Sequence, residues 1–154
     1  MSHRIRMGRY GLAGGVLVAT LCFAATPQET QKVRHEHYEE LGDAFKAVRD
    51  GSKASTPDFA AIEKSAEIIH KASINQLQWF PHGTGPEAGK TRALPEIWTK
   101  AGDFTAAQKM FSDRAPKLLA AVKAKDAAGV QAAFKEVGGA CKNCHDNFRA
   151  PEDH

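Results

Sequence analysis

From Val130 to Phe148, the residues Val130, Phe134, Val137, Cys141, Cys144 and Phe148 recur at steps of 4, 3, 4, 3 and 4. That spacing follows the turn of an α-helix, so all six share one stripe and both cysteines turn toward a core. Asp126 is placed to open this helix. The segment CKNCH, residues 141–145, therefore sits on a helix near the end of the chain. Two cysteines and a histidine so spaced suit a redox couple, part of a zinc site, or an anchor for haem.

The rest of the chain reads as helical too. Arg34, Tyr38, Leu41, Phe45 and Val48 form a first stripe that stops near RDGSKAST. Thr56 is expected to cap a second helix, with Pro57 at its first position and Asp58 in its first turn. Its stripe is Phe59, Ile62, Ala66, Ile69, Ser73, Leu77 and Phe80. A long Gly/Pro-rich connection, PHGTGPEAGKTRALPEIW, follows, and connections of that length signal function or local disorder. A third stripe runs through Phe104, Ala107, Phe111, Ala115, Leu118 and Val122. Pro116 inside it predicts a kink or a restart capped by Asp113. With no run of alternating β-branched residues, the fold class is all-α, an antiparallel four-helix bundle with sites between facing helices.

Residues 1–25 do not belong to that bundle. Arg4, Arg6 and Arg9 precede an apolar run, LAGGVLVATLCFAA, that is too short to span a membrane comfortably and has the form of a cleaved export signal. A lipoprotein site would need a small residue before Cys22 and finds Leu21. The alternative is an uncleaved anchor. Residues 26–154 then make one domain, located in the periplasm and free of stable membrane insertion. The three leader arginines, taken from 21 basic residues, leave 18 against 18 acidic ones. A formally neutral domain offers no basic balance for nucleic acid. Cys141 and Cys144 become the only thiols of an exported chain, where unoccupied thiols oxidise.

Zinc needs three or four protein ligands, and adjacent residues 144 and 145 diverge by about 100° on a helix, which makes joint chelation awkward. A haem-free thiol-disulfide protein uses both cysteines but leaves His145 unexplained, and no βαβ neighbourhood surrounds the motif. Covalent haem accounts for all three residues: the thiols add to the two vinyl groups and the following imidazole turns to iron.

With CKNCHDNFR at the extreme C-terminal end, RHEHYEELG in the first helix and ALPEIW before the third, residues 28–150 resemble the class II cytochromes c, the cytochrome c′ family. The resemblance implies a four-helix bundle holding one haem c near one end. It implies thioether anchors at Cys141 and Cys144, and His145 as the proximal iron ligand. It places Arg149 beside the proximal imidazole and Arg34 near a haem propionate. An arginine on a core stripe must in any case be paired, and a planar carboxylate suits it. Gly138 and Gly139 would let the backbone approach a bulky cofactor.

Low-spin relatives carry an axial methionine four residues beyond that arginine, and here the residue is Tyr38. Met110 remains on the third helix, where it reads as core filler. The sixth position is thus an empty site walled by Tyr38, a Tyr38 phenolate, or His37. On a helix His37 lies about 60° from the stripe and His35 about 100°, toward water. His70 is expected on a helix surface and His82 in the loop.

A five-coordinate iron implies single-electron chemistry and binding of nitric oxide or carbon monoxide, and a six-coordinate one implies electron transfer alone. Redox partner proteins are expected in both cases. With no positioned acid-base pair, enzyme activity is not expected. The resemblance also implies a homodimer through the first two helices.

Overall fold

The computed structural model describes residues 25–151; apart from Ala25, the expected signal segment lies outside the described residues. Four long helices form the bundle: α1 (Pro27–Ser52), α2 (Phe59–Asn75), α4 (Ala101–Lys123) and α5 (Ala127–Phe148). A one-turn α3 (Glu96–Thr99) precedes α4. Among the described residues there is no β-strand beyond one isolated bridge, Ala93 with Arg149.

Each end of the bundle is set by local chemistry. Thr26 and Glu29 form a reciprocal capping box ahead of Pro27, with Glu29 N–H donating to Thr26 Oγ1 at 3.2 Å and Thr26 N–H to Glu29 Oε2 at 2.7 Å. Asp126 caps α5 by accepting from Gly129 N–H at 3.0 Å, as expected. The second helix starts later than its sequence suggested. Asp58, and not Thr56, is its N-cap, accepting from Ala60 N–H and Ala61 N–H at 3.0 and 3.2 Å. A single carboxylate oxygen, Asp58 Oδ1, accepts from both orphan amides and carries the negative charge that the helix N-terminus favours.

Pro116 does not interrupt α4, and Asp113 caps nothing; Asp113 instead accepts from Lys109 Nζ at 2.7 Å. The proline lies on the exposed face, so water can serve the carbonyl that lost its donor. The stripe of α2 also ends early. Asn75 closes the helix, a tighter 3₁₀ turn covers Gln76–Trp79, and the change of pitch turns Leu77 outward, 45% exposed.

The main core joins Val48, Ile62, Ile69, Phe111, Leu118, Val122, Val130 and Val137, with Ala66, Ala115 and Ala140 fully buried where helices approach closely. A second cluster of Ile97, Phe104, Ala107 and Phe148 fills the end of the bundle near α3, with Phe80, Trp98 and Cys144 against it. Helix α5 packs along α4, α2 packs along both α1 and α4, and α1 meets α5 far less extensively. Phe45 and Phe134 stack between α1 and α5 with ring centroids 4.1 Å apart.

Asp58→Ala is expected to cost about 1 kcal/mol of stability in urea unfolding, and Thr56→Ala to stay within about 0.5 kcal/mol. Equal losses would contradict the later start of α2.

Candidate functional site

Beyond the Phe45–Phe134 contact, α5 presents Cys141, Cys144 and His145, all half-buried. Cys141 packs on the main core and Cys144 on the end cluster, so the two thiols straddle the boundary between them. They are free thiols. Burial pushes the Cys141 thiol up, and burial together with Cys141 pushes Cys144 up to about 11. A reactive redox cysteine needs the opposite, a thiolate favoured by positive surroundings. Their place in the last turns of α5, at the negative end of the helix dipole, works against a thiolate as well.

His145 is held neutral by burial first, and then by the guanidinium groups of Arg149 and Arg92. Neutral imidazole is the form that ligates a metal. Arg149 ends α5, its N–H donating to His145 O at 3.2 Å. The chain around it is clamped to the loop before α3. Leu94 N–H donates to Phe148 O at 3.0 Å, Ala150 N–H to Arg92 O at 2.8 Å, and the Arg92 side chain to Ala150 O at 2.8 and 2.9 Å.

Across from the cysteines stands Tyr38 on α1, within electrostatic reach of both thiols. Its hydroxyl accepts a short hydrogen bond from Gln76 Nε2. Trp79 meets the Tyr38 ring edge-on at 5.4 Å, and Phe80 does so at 6.2 Å. Burial pushes the Tyr38 phenol well above its usual range, more than the Gln76 hydrogen bond lowers it. His37 lies on Trp79, stacked with centroids 4.6 Å apart, and His35 pairs with Glu39 at the surface. Met110 packs against the main core, its sulfur accepting from Asn143 Nδ2 at 3.5 Å.

Arg34 is 4% exposed and organises the long loop. Its Nη1 donates to Thr84 Oγ1 at 3.0 Å and Trp79 O at 3.3 Å, its Nη2 to Thr84 O at 2.8 Å and Thr91 Oγ1 at 3.4 Å. The guanidinium also lies 4.7 Å from the centroid of Phe80. Gly83, at φ 78°, makes the turn before Thr84. Every one of these acceptors is neutral, so the hydrogen bonds are satisfied while the charge is not.

Sequence reasoning missed Gln76, Trp79, Thr84 and Arg92. The stripe read from the sequence passes from Ser73 to Leu77 and so skips Gln76, which the 3₁₀ turn brings inward instead. A Cβ at Gly138 would meet Phe45 at 3.5 Å and one at Gly139 would meet Arg114 at 3.5 Å, ordinary contact distances, so the packing of the described helices does not itself require glycine at either position. His70, expected on the surface, is half-buried, with its Nδ1 buried and unpartnered.

A family model described as Cytochrome C′ matches residues 29–149. The chain belongs to the cytochrome c′ family. It is 35% identical over 126 residues to the cytochrome c′ of Alcaligenes xylosoxydans xylosoxydans, a match covering 81% of this chain and 96% of the relative. The crystal structure of cytochrome c′ from Rubrivivax gelatinosus superposes with a TM-score of 0.74 at 31% identity, covering 80% of this chain and 97% of that one. A nitric oxide complex of a point mutant of cytochrome c prime from Alcaligenes xylosoxidans superposes with a TM-score of 0.75 at 32% identity, covering 84% and 100%.

The cofactor of the cytochrome c′ family is covalently attached haem c. This chain's residues fit it on three counts: a pair of free thiols on one helix face, a neutral imidazole next to them, and a buried cation whose hydrogen-bond acceptors among the described residues are all neutral.

Arg34→Met is expected to lose on the order of 2 to 4 kcal/mol, since it strips donors from the Trp79 and Thr84 carbonyls. Amide exchange should quicken in residues 80–91 first. Uniform acceleration across the bundle would contradict the local role.

Proposed function

We infer that this protein is a periplasmic c-type haem protein whose iron is held by His145 on one side and has no protein ligand on the other. It serves single-electron redox chemistry and binds nitric oxide or carbon monoxide. The observation that carries this reading is the wall facing Cys141 and Cys144: a neutral phenol, Tyr38, hydrogen-bonded by Gln76, with His37 stacked on Trp79.

Cys141 and Cys144 are the thioether anchors, and their high thiol pKa values matter little once each sulfur is alkylated. His145 ligates through the imidazole that burial and the two arginines keep neutral. Arg149 flanks it. Arg34 pairs with a propionate, which brings the missing negative charge to a guanidinium otherwise surrounded by neutral oxygens. Haem bound there supplies an iron that exchanges one electron and, where a position is open, takes a diatomic ligand.

Tyr38 narrows the approach to that position. Its burial favours the protonated phenol, so phenolate ligation is opposed by the same desolvation that raises its pKa. The nitric oxide complex of the related protein from Alcaligenes xylosoxidans supports the choice of ligand class. The basic and apolar leader supports export. No helix among the described residues is long and apolar enough to cross a membrane. Val33, Ile74 and Leu77, exposed on and just beyond the first two helices, support a homodimer through that face.

Tyr38→Ala should accelerate carbon monoxide binding to the ferrous protein; unchanged kinetics would remove Tyr38 from the ligand path. Cys141→Ala should lose one thioether bond by mass spectrometry after proteolysis, whereas attachment through both positions elsewhere would refute the anchors. Because the phenol pKa is raised, the ferric spectrum should show no phenolate charge-transfer band between about pH 7 and about pH 10. A band that appears in that range and vanishes in Tyr38→Phe would establish the phenolate ligand instead.

A further inference from the structure

Gln76 is 6% exposed, at the point where α2 tightens into the 3₁₀ turn. An amide buried there costs free energy unless it is hydrogen-bonded. Its Nε2 donates to the hydroxyl oxygen of Tyr38, a residue 38 positions away on another helix. In this contact the amide N–H donates. The phenol oxygen accepts, so its own proton is directed away from the Gln76 N–H. No described side chain or carbonyl accepts that proton, and the groups next to the phenol across the site are Cys141 and Cys144. Trp79 and Phe80 pack against the Tyr38 ring with centroids 5.4 and 6.2 Å away.

We propose that Gln76 is a specificity-determining positioning residue: by holding the Tyr38 oxygen it locks the ring across the ligand path and aims the phenolic proton at the outer atom of a bound diatomic. The inference rests on the reading of Tyr38 as the wall of the open position. It goes further in assigning selectivity to a residue that does not face the iron. Two consequences follow for Gln76→Leu. The ring gains freedom to swing, so small ligands enter faster. The proton loses its fixed direction, so a bound ligand loses a single well-defined hydrogen bond.

Tyr38 is the chain's only tyrosine apart from Tyr10 of the leader, which makes its vibrational signature readable in the exported protein. The test uses purified holoprotein in four forms: wild type, Gln76→Leu, Tyr38→Phe and the double variant, with Gln76→Met replacing Gln76→Leu if that form does not fold with haem. Ultraviolet resonance Raman of the ferric protein should report an accepting phenol in wild type and its loss in the Gln76 variant. Carbon monoxide association should speed up by roughly threefold to tenfold in the Gln76 variant, the equilibrium worth of one neutral hydrogen bond. The C–O stretch should change from one narrow band to a broad or split one. In the Tyr38→Phe background, which lacks the oxygen, removing Gln76 should change neither rate nor band.

An effect of Gln76 that persists without the phenol oxygen would overturn the proposal, because Gln76 would then act by packing alone. An unchanged Raman signature and rate in the Gln76 variant, alongside fast binding in Tyr38→Ala, would sink the proposal and leave Tyr38 as the wall. If Tyr38→Ala is itself without effect, the underlying reading fails with it.

Discussion

A buried guanidinium with no counter-ion among the described residues is the constraint on which this architecture turns. Arg34 is 4% exposed, and its partners are the Trp79 and Thr84 carbonyls and the hydroxyls of Thr84 and Thr91. Neutral oxygens satisfy its donors, but the cost of removing a charge from water is offset fully only by an anion. To supply those oxygens, the chain after α2 folds back over α1. Trp79 and Phe80 are thereby set against Tyr38, so the wall of the site is a by-product of solvating one cation.

The side chains that would meet the cofactor share a charge pattern. Tyr38, Cys141, Cys144 and His145 are all shifted by burial toward their neutral forms. The permanent charges that act on them are mainly positive, Arg34, Arg92 and Arg149, against Asp146, which acts on His145 in the opposite sense. A site of neutral contacts with a largely cationic surround suits a planar apolar group carrying carboxylates at its edge. The same pattern argues against thiol-disulfide exchange, which requires a stabilised thiolate that this helix end does not provide.

Much of this was legible in the sequence. Helical periodicity gave the four long helices and set Arg34, Tyr38, Cys141 and Cys144 on inward stripes, because each stripe spans several turns and averages over local exceptions. The motif CKNCH pointed to haem through the chemistry of its residue types. What failed were features decided by a single hydrogen bond or by exposure: Asp58 outcompeted Thr56 as a cap, and Pro116 stayed inside α4 because it faces water. The partners of Arg34 and the latch on Tyr38 were hidden for a different reason. Thr84 lies 50 positions from Arg34 and Gln76 lies 38 positions from Tyr38, and only the folded chain brings each pair together.

The central claim is an iron held by His145 and open on the Tyr38 side. Its most direct test is the absorption spectrum of the exported protein, ferric and dithionite-reduced, before and after carbon monoxide. The account predicts a broad high-spin ferrous Soret band that sharpens on adding the gas. Sharp low-spin α and β bands indifferent to carbon monoxide would contradict it, and would mean that a side chain occupies the sixth position.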